Sequence, residues 1–255
     1  MYLPFLLFGR HKVYMKLEEM TWCEVETYLE TSPGIILPTG SIEQHGPVGL
    51  IGTDSICARE IAWAAAKQCG TLVAPEISYA PAPFNMSFPG TVSLSSELYK
   101  DLVSGVVRSL AQHGFKRIYI LNGHGANLAI LRAFAETNPQ TIRIKGWWDF
   151  EPVKKLRTQF YGDWEGMHAT PSEVAITQKT HRVIPSEHIE PPKKLSPEYI
   201  RAHAGDKHGP PEEHRAQFPD GRVGSHSGLA KAEHGQELLE TAARSVAEDY
   251  SRFLG

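Results

Sequence analysis

A carboxylate and an imidazole stand two residues apart in Glu43-Gln44-His45-Gly46, and Asp54 follows after eight mostly apolar or Gly residues. Glu, His and Asp are the ligand types that suit a divalent cation of the zinc or manganese class. A second cluster, Asn122-Gly123-His124-Gly125-Ala126-Asn127, sets another imidazole between glycines. A third, Trp164-Glu165-Gly166-Met167-His168-Ala169-Thr170-Pro171-Ser172-Glu173, adds two carboxylates, an imidazole and an indole. Taken singly, each has a plainer alternative. Gly-His-Gly after a strand is a tight turn with an incidental His, Glu173 is charge placed at a helix N-terminus, and His168 is a surface or core imidazole.

The surrounding pattern decides what these residues do together. An apolar run over 34–37 reads as a buried parallel strand, with further strands at 71–74, 117–121 and 141–147. Helices alternate with them: 21–30, opened by Thr21 and Glu24 in capping-box spacing; 54–68, with Asp54 as N-cap and Gly70 as terminator; 95–113; and 128–136. Residues 78–91 form a Pro-rich loop, 150–182 show only one clear helix at 171–180, and 185–222 read as an irregular excursion. A long amphipathic helix over 228–253 closes the chain. This alternation predicts an α/β fold: a single three-layer domain with a mainly parallel sheet and helices on both faces. No repeat or linker divides it. Met15 is an alternative start, which would make 1–14 an N-terminal arm and 15–255 the domain.

Both Gly-rich clusters directly follow a strand, and the carboxyl ends of parallel strands share one edge, where ligands bind. Glu43, His45, Asp54 and His124 therefore converge there, as a metal site. The 255 residues carry a net charge of −3 without a long run of one sign, which argues against a nucleic-acid surface. Cys23, Cys57 and Cys69 form no CxxC pair and fit a reducing cytosol, hence a cytoplasmic protein. Residues 2–8 are apolar but too short for a membrane span of roughly 20 residues, and they lack the flanks of a signal peptide. No Gly-x-Gly-x-x-Gly follows a strand, so a nucleotide-binding module has no support.

In order along the chain, Glu43-x-His45-Gly46-Pro47 with Thr53-Asp54, Phe88-Pro89-Gly90-Thr91, Asn122-Gly123-His124-Gly125-x-Asn127, and His168-Ala169 with Glu173 resemble the creatininase (creatinine amidohydrolase) family. The resemblance implies two divalent metal ions per chain, Zn2+ and/or Mn2+ with Fe2+ also admitted. It implies a metal-activated water that cleaves a C–N bond of a small cyclic or linear amide, and a homo-oligomer, hexamers being known in the family. Asp54 would bridge the ions, Glu43 and His124 would complete one, and His45 with a further carboxylate the other. His168 would donate a proton to the leaving nitrogen. Trp164, Glu165 and His168 match the family's substrate contacts in spacing, with a core aromatic and a solvated carboxylate as the alternatives for Trp164 and Glu165. Glu165 would pair with a cationic substrate group. Glu173 stays open between fifth metal ligand, general base and helix cap.

The sequence also departs from the family. Val48 and Asn85 stand where many members carry His, Ala126 where creatininase has a metal-binding Glu, and Gly125 where it has Tyr. These departures point away from creatinine as substrate. They keep open a formamide or lactam hydrolase of cofactor biosynthesis, and a metal-binding subunit without catalysis.

Overall fold

A computed structural model describes residues 15–205 and 207–255, so the expected arm over 1–14 lies outside the described residues. Five strands form one parallel sheet: β1 (Met15–Lys16), β2 (Gly34–Thr39), β3 (Leu72–Val73), β4 (Arg117–Asn122) and β5 (Ile142–Gly146), in the order β1-β3-β2-β4-β5. β2 and β4 are paired over their full lengths, from Gly34 opposite Arg117 to Thr39 opposite Asn122. This register places the two chemistry-bearing turns side by side. β2 outruns its expected end because Pro38 falls where β3 has already stopped, so its missing N–H leaves no ladder partner wanting.

Side-chain alternation along the strands builds a core on each face. Ile36, Tyr119 and Leu121 pack against α2 (Thr53–Cys69), α5 (Glu151–Tyr161), α6 (Pro171–Thr180) and α9 (Ala232–Leu254). Ile35, Leu37, Ile118 and Ile120 pack against α1 (Trp22–Leu29), α3 (Ser96–Gln112) and α4 (Asn127–Glu136). The three-layer α/β expectation holds. The capping box at Thr21 and Glu24 is present, and Gly70 ends α2 at φ 68°.

Three further differences from the sequence reading bear on the site. Asp54 is not the N-cap of α2. The turn closes earlier, through Thr53 N–H and Oγ1 to the Leu50 carbonyl, so Gly52 caps and Asp54 lies in the first turn. α5 was not expected, because charged and polar residues dominate it and it buries only Val153 and Tyr161, although Val153, Leu156, Phe160 and Tyr161 recur at helical spacing; Pro152 is accommodated at its start. The excursion contains two short helices, α7 (Pro197–Ala202) and α8 (Pro211–Gln217). Among the described residues no helix is long and apolar enough to cross a membrane.

Two glycines allow the strand ends to press against α2. A Cβ on Gly123 would lie 2.2 Å from the Asp54 carbonyl oxygen, and one on Gly40 would lie 2.4 Å from the Ser55 backbone. Gly123→Ala is therefore expected to cost about 1–3 kcal/mol through overpacking. Gly105→Ala, in α3 where a Cβ meets nothing within 4 Å, should instead stabilise by about 0.5–1 kcal/mol. Urea denaturation of the two variants tests the contrast, and equal effects would contradict the close approach at Gly123.

Candidate metal centre

Beyond Thr39 the chain turns through Gly40 into the loop that carries Glu43 and His45, and both are buried. The first turn of α2 presents Asp54 to the same point. On the neighbouring strand, Asn122 holds the His124 turn: its Oδ1 accepts from Thr39 Oγ1 at 3.1 Å and Asn127 Nδ2 at 3.1 Å, and its Nδ2 donates to the His124 carbonyl at 2.6 Å. His168 arrives on a segment bridged to Val223 and Gly224. It is followed by Ala169, whose φ of 57° is unusual for a residue with a Cβ. Thr170 and Glu173 then form the capping box of α6.

These elements bring six side chains together. His124 Nδ1 lies 3.0 Å from Glu43 Oε1 and 3.1 Å from Asp54 Oδ2. His45 Nε2 lies 3.1 Å from Asp54 Oδ1 and 3.9 Å from Glu173 Oε1. His168 Nδ1 lies 3.6 Å from Glu43 Oε1. Three groups thus have ligand atoms close enough to share a cation: Glu43, Asp54 and His124; His45, Asp54 and Glu173; and Glu43, His45 and His168. Asp54 belongs to two of them, with one oxygen turned to each.

The second nitrogen of every imidazole faces a backbone carbonyl. His45 Nδ1 meets Glu43 O at 3.1 Å, His124 Nε2 meets Pro81 O at 2.8 Å, and His168 Nε2 meets Gln44 O at 2.7 Å. A carbonyl can only accept, so each of these nitrogens carries the ring proton, and the nitrogen facing the carboxylates offers a lone pair in the neutral ring. A lone pair and a carboxylate oxygen at 3.1 Å repel unless a cation lies between them. Glu43 Oε1, Asp54 Oδ2 and His45 Nε2 are also buried without a hydrogen-bond partner. The residues present therefore fit a pair of divalent cations.

Titration behaviour agrees. Burial opposes charge on His45, but Asp54, then Glu173 and Glu43, outweigh it and push the imidazole up to about 10. Burial likewise opposes charge on His124, which Glu43 and Asp54 nevertheless hold well above its ordinary value. Against its own burial, Asp54 is held low by His45 and His124. With no metal, protons supply the positive charge this cluster demands, and metal binding would displace them. His168 differs, since burial, reinforced by His45, pulls it down to about 3. Burial raises Glu173 to about 7.

A cavity of about 200 Å³ opens onto this cluster, walled by Trp147, Trp148, Arg157, Thr170 and Gly205 as well as Glu43, Asp54, His124, His168 and Glu173. Trp164 and Glu165 are not on its wall. The turn at 162–165, followed by Gly166 at φ 63°, carries them aside. Trp164 packs on His226 at 5.6 Å and beneath Lys194 Nζ at 4.6 Å. Glu165 Oε1 accepts from Arg157 Nε at 2.8 Å and from Ser172 Oγ, so the carboxylate expected to meet a cationic substrate meets a cation of the protein. Sequence reasoning missed Trp147 and Trp148, although they directly follow β5 at the same carboxyl edge. It treated Asn85 only as a departure, whereas Asn85 Nδ2 donates to Glu43 Oε2 at 2.7 Å and its Oδ1 accepts from Gln44 Nε2 at 2.8 Å. The excursion also reaches the site: Phe84, which meets the His168 ring at 6.0 Å, packs on His208 at 4.7 Å and His214 at 5.0 Å.

Comparison with known proteins gives a match to the creatininase family, described as creatinine amidohydrolase, over residues 18–250. A creatinine amidohydrolase of Pseudomonas putida is 30% identical over 141 residues, covering 53% of this chain and 54% of that protein. A 3-dehydro-scyllo-inosose hydrolase of Thermotoga maritima is 28% identical over 266 residues, covering 92% of this chain and 84% of that protein. The chain thus spans about half the length of the first relative and most of the second. A crystal structure of creatinine amidohydrolase shares the fold, with a TM-score of 0.76 at 23% identity over 94% of this chain and 97% of that one.

Two substitutions test the geometry. Asp54→Ala removes the carboxylate common to the Glu43–Asp54–His124 and His45–Asp54–Glu173 groups, so it is expected to lower metal content at both positions in elemental analysis. Full occupancy of either would end its bridging role. Glu173→Gln keeps a side chain able to complete the capping box but removes the anionic ligand. It should weaken one metal much more than the other in a competitive chelator titration; unchanged affinities with turnover lost would make Glu173 a general base instead.

Proposed function

We propose, from the premise that this chain belongs to the creatininase family, that it is a metal-dependent hydrolase cleaving a C–N bond of a small amide. The observation that carries this reading is Asp54, whose two oxygens each face the lone-pair nitrogen of a different buried imidazole. Glu43, Asp54 and His124 would hold one divalent ion, and His45, Asp54 and Glu173 the other. A manganese creatininase and a Zn–Zn form of a creatininase variant share the fold, and the same variant has also been seen complexed with creatine, which supports metal dependence and a small substrate. When bound, such ions supply Lewis acidity that activates water near neutral pH and polarises a carbonyl.

The chain's own residues do the rest. His168 is neutral at neutral pH, its Nε2–H is fixed on the Gln44 carbonyl, and its Nδ1 is open toward the cluster. That nitrogen can take the proton of the attacking water and pass it to the leaving nitrogen. The expected proton donor thereby becomes a shuttle. Trp147 and Trp148 give the cavity flat apolar walls, and its volume of about 200 Å³ lies below the ~300–1,000 Å³ of drug-sized pockets. Asn85 keeps Glu43 turned so that Oε1 faces His124 and His168.

The length of the match to the Thermotoga protein favours one second reading, in which the attacked carbonyl belongs to a polyhydroxylated ring ketone. An assay of the manganese- or zinc-loaded protein for amine or ammonia release from small amides, run beside inosose-type ketones, separates the two. His168→Ala should retain metal and lose about 100-fold or more in turnover. Wild-type turnover in that variant, on a substrate whose chemical step is rate-limiting, would remove the shuttle.

A further inference from the structure

The cavity wall holds one Lys or Arg side chain among the described residues, that of Arg157. It extends from α5, with 21% of its side chain exposed. Its Nε donates to Glu165 Oε1 at 2.8 Å, while the guanidinium carbon lies 5.7 Å from the centre of the Trp147 ring. Glu165 is itself restrained by the Ser172 hydroxyl on the same oxygen. Nη1 and Nη2 make no hydrogen bond to the described protein. The guanidinium is thus gripped through Nε and lies near the Trp147 indole, on a residue of the cavity wall, with its two-pronged end unpaired among the described residues. A guanidinium fork matches the two oxygens of a carboxylate. A cation tethered in this way loses little freedom when it binds one.

On this basis we propose that Arg157 is the specificity determinant of the site and that the substrate is a small amide bearing a carboxylate, which the Nη groups receive. The proposal rests on the amide-hydrolase reading for the word amide, and on the cavity alone for the word carboxylate. Glu165 acts as a positioning residue: it orients the guanidinium and does not touch substrate. The small cavity agrees, since a compact acid that places its carbonyl at the metal cluster would also reach the wall.

The test uses two probes with the same lactam ring, 5-oxoproline with a carboxylate and 2-pyrrolidinone without one. Their binding to the manganese- or zinc-loaded protein is followed by calorimetry and by the fluorescence of the cavity tryptophans. Wild type is expected to bind 5-oxoproline about tenfold or more tighter than 2-pyrrolidinone, the scale of a charge-assisted hydrogen bond. Arg157→Gln should bring the two probes to near equality, and Arg157→Lys should restore part of the preference. Because Arg157→Gln leaves Glu165 without its cation, the double variant Arg157→Gln with Glu165→Gln provides a neutral pair and carries the same expectation. Equal binding by wild type, no binding of 5-oxoproline at millimolar concentration, or a preference that survives Arg157→Gln would overturn the proposal; the last result would assign the carboxylate to the metal ions. Turnover separates this outcome from the fate of the wider reading. Hydrolysis of amides without regard to a carboxylate keeps the hydrolase and ends the Arg157 subsite, whereas an Arg157-dependent preference without any amide cleavage keeps the subsite and ends the amide.

Discussion

Three carboxylates and three imidazoles are buried within a few ångströms of one another, and Glu43 has no solvent exposure at all. Taking a single carboxylate out of water costs several kcal/mol unless opposite charge accompanies it. The cluster is therefore stable only with cations inside it, whether protons or metal ions. What would favour metal ions over protons is the direction of the ring protons. The Glu43, Gln44 and Pro81 carbonyls each take one ring N–H, and all three lie on loops that leave the sheet at its carboxyl edge. Backbone geometry at that edge thus fixes the tautomers, and the tautomers fix where lone pairs point. The glycines at positions 40 and 123 matter for the same reason, because a side chain on either would push α2 and Asp54 away from the strand ends.

The departures from the family pattern take on a different meaning inside this network. Asn85 fills its place with a donor to Glu43 and an acceptor for Gln44, so both ends of its amide are used. Val48 is buried in a small apolar cluster with Val174 and Ala175 of α6, where it packs the helix that carries Glu173. Ala126 sits at the N-cap of α4 and offers no ligand, but Glu173 stands 3.9 Å from His45 on the side left short. A site losing its function would be expected to shed such compensations first. Their presence supports the proposed hydrolase reading over that of a metal-binding subunit without catalysis.

Much of this was legible in the sequence because it is local. Strand and helix alternation, the box at Thr21 and Glu24, and the glycines that end helices all act within a few residues. So does the placement of Glu43, His45 and His124 just past strand ends, from which a parallel sheet makes convergence unavoidable. Trp164 and Glu165 stand off the cavity wall, a placement that spacing alone could not give because it does not encode a turn that swings two residues aside. Arg157 was overlooked because α5 is mostly polar and the partner of Arg157 comes from another element. The contribution of 185–222 was equally hidden, since Phe84 meets His208 and His214 only through long-range packing.

Glu173 shows why sequence pattern and site chemistry can coincide without being separable. As the third residue of α6 it accepts the Thr170 N–H and completes a capping box, which is a sufficient reason for a Glu at that position. The same carboxylate lies 3.9 Å from His45 and forms part of the cavity wall. These uses reinforce each other. A carboxylate locked by its own helix cap has little rotamer freedom left to lose when a cation arrives, so the entropic cost of binding is already met in folding. Burial raises Glu173 to about 7, which marks how poorly this position tolerates a bare negative charge. A cation beside it would relieve that penalty, so the cap that holds Glu173 in place also makes a cation favourable there.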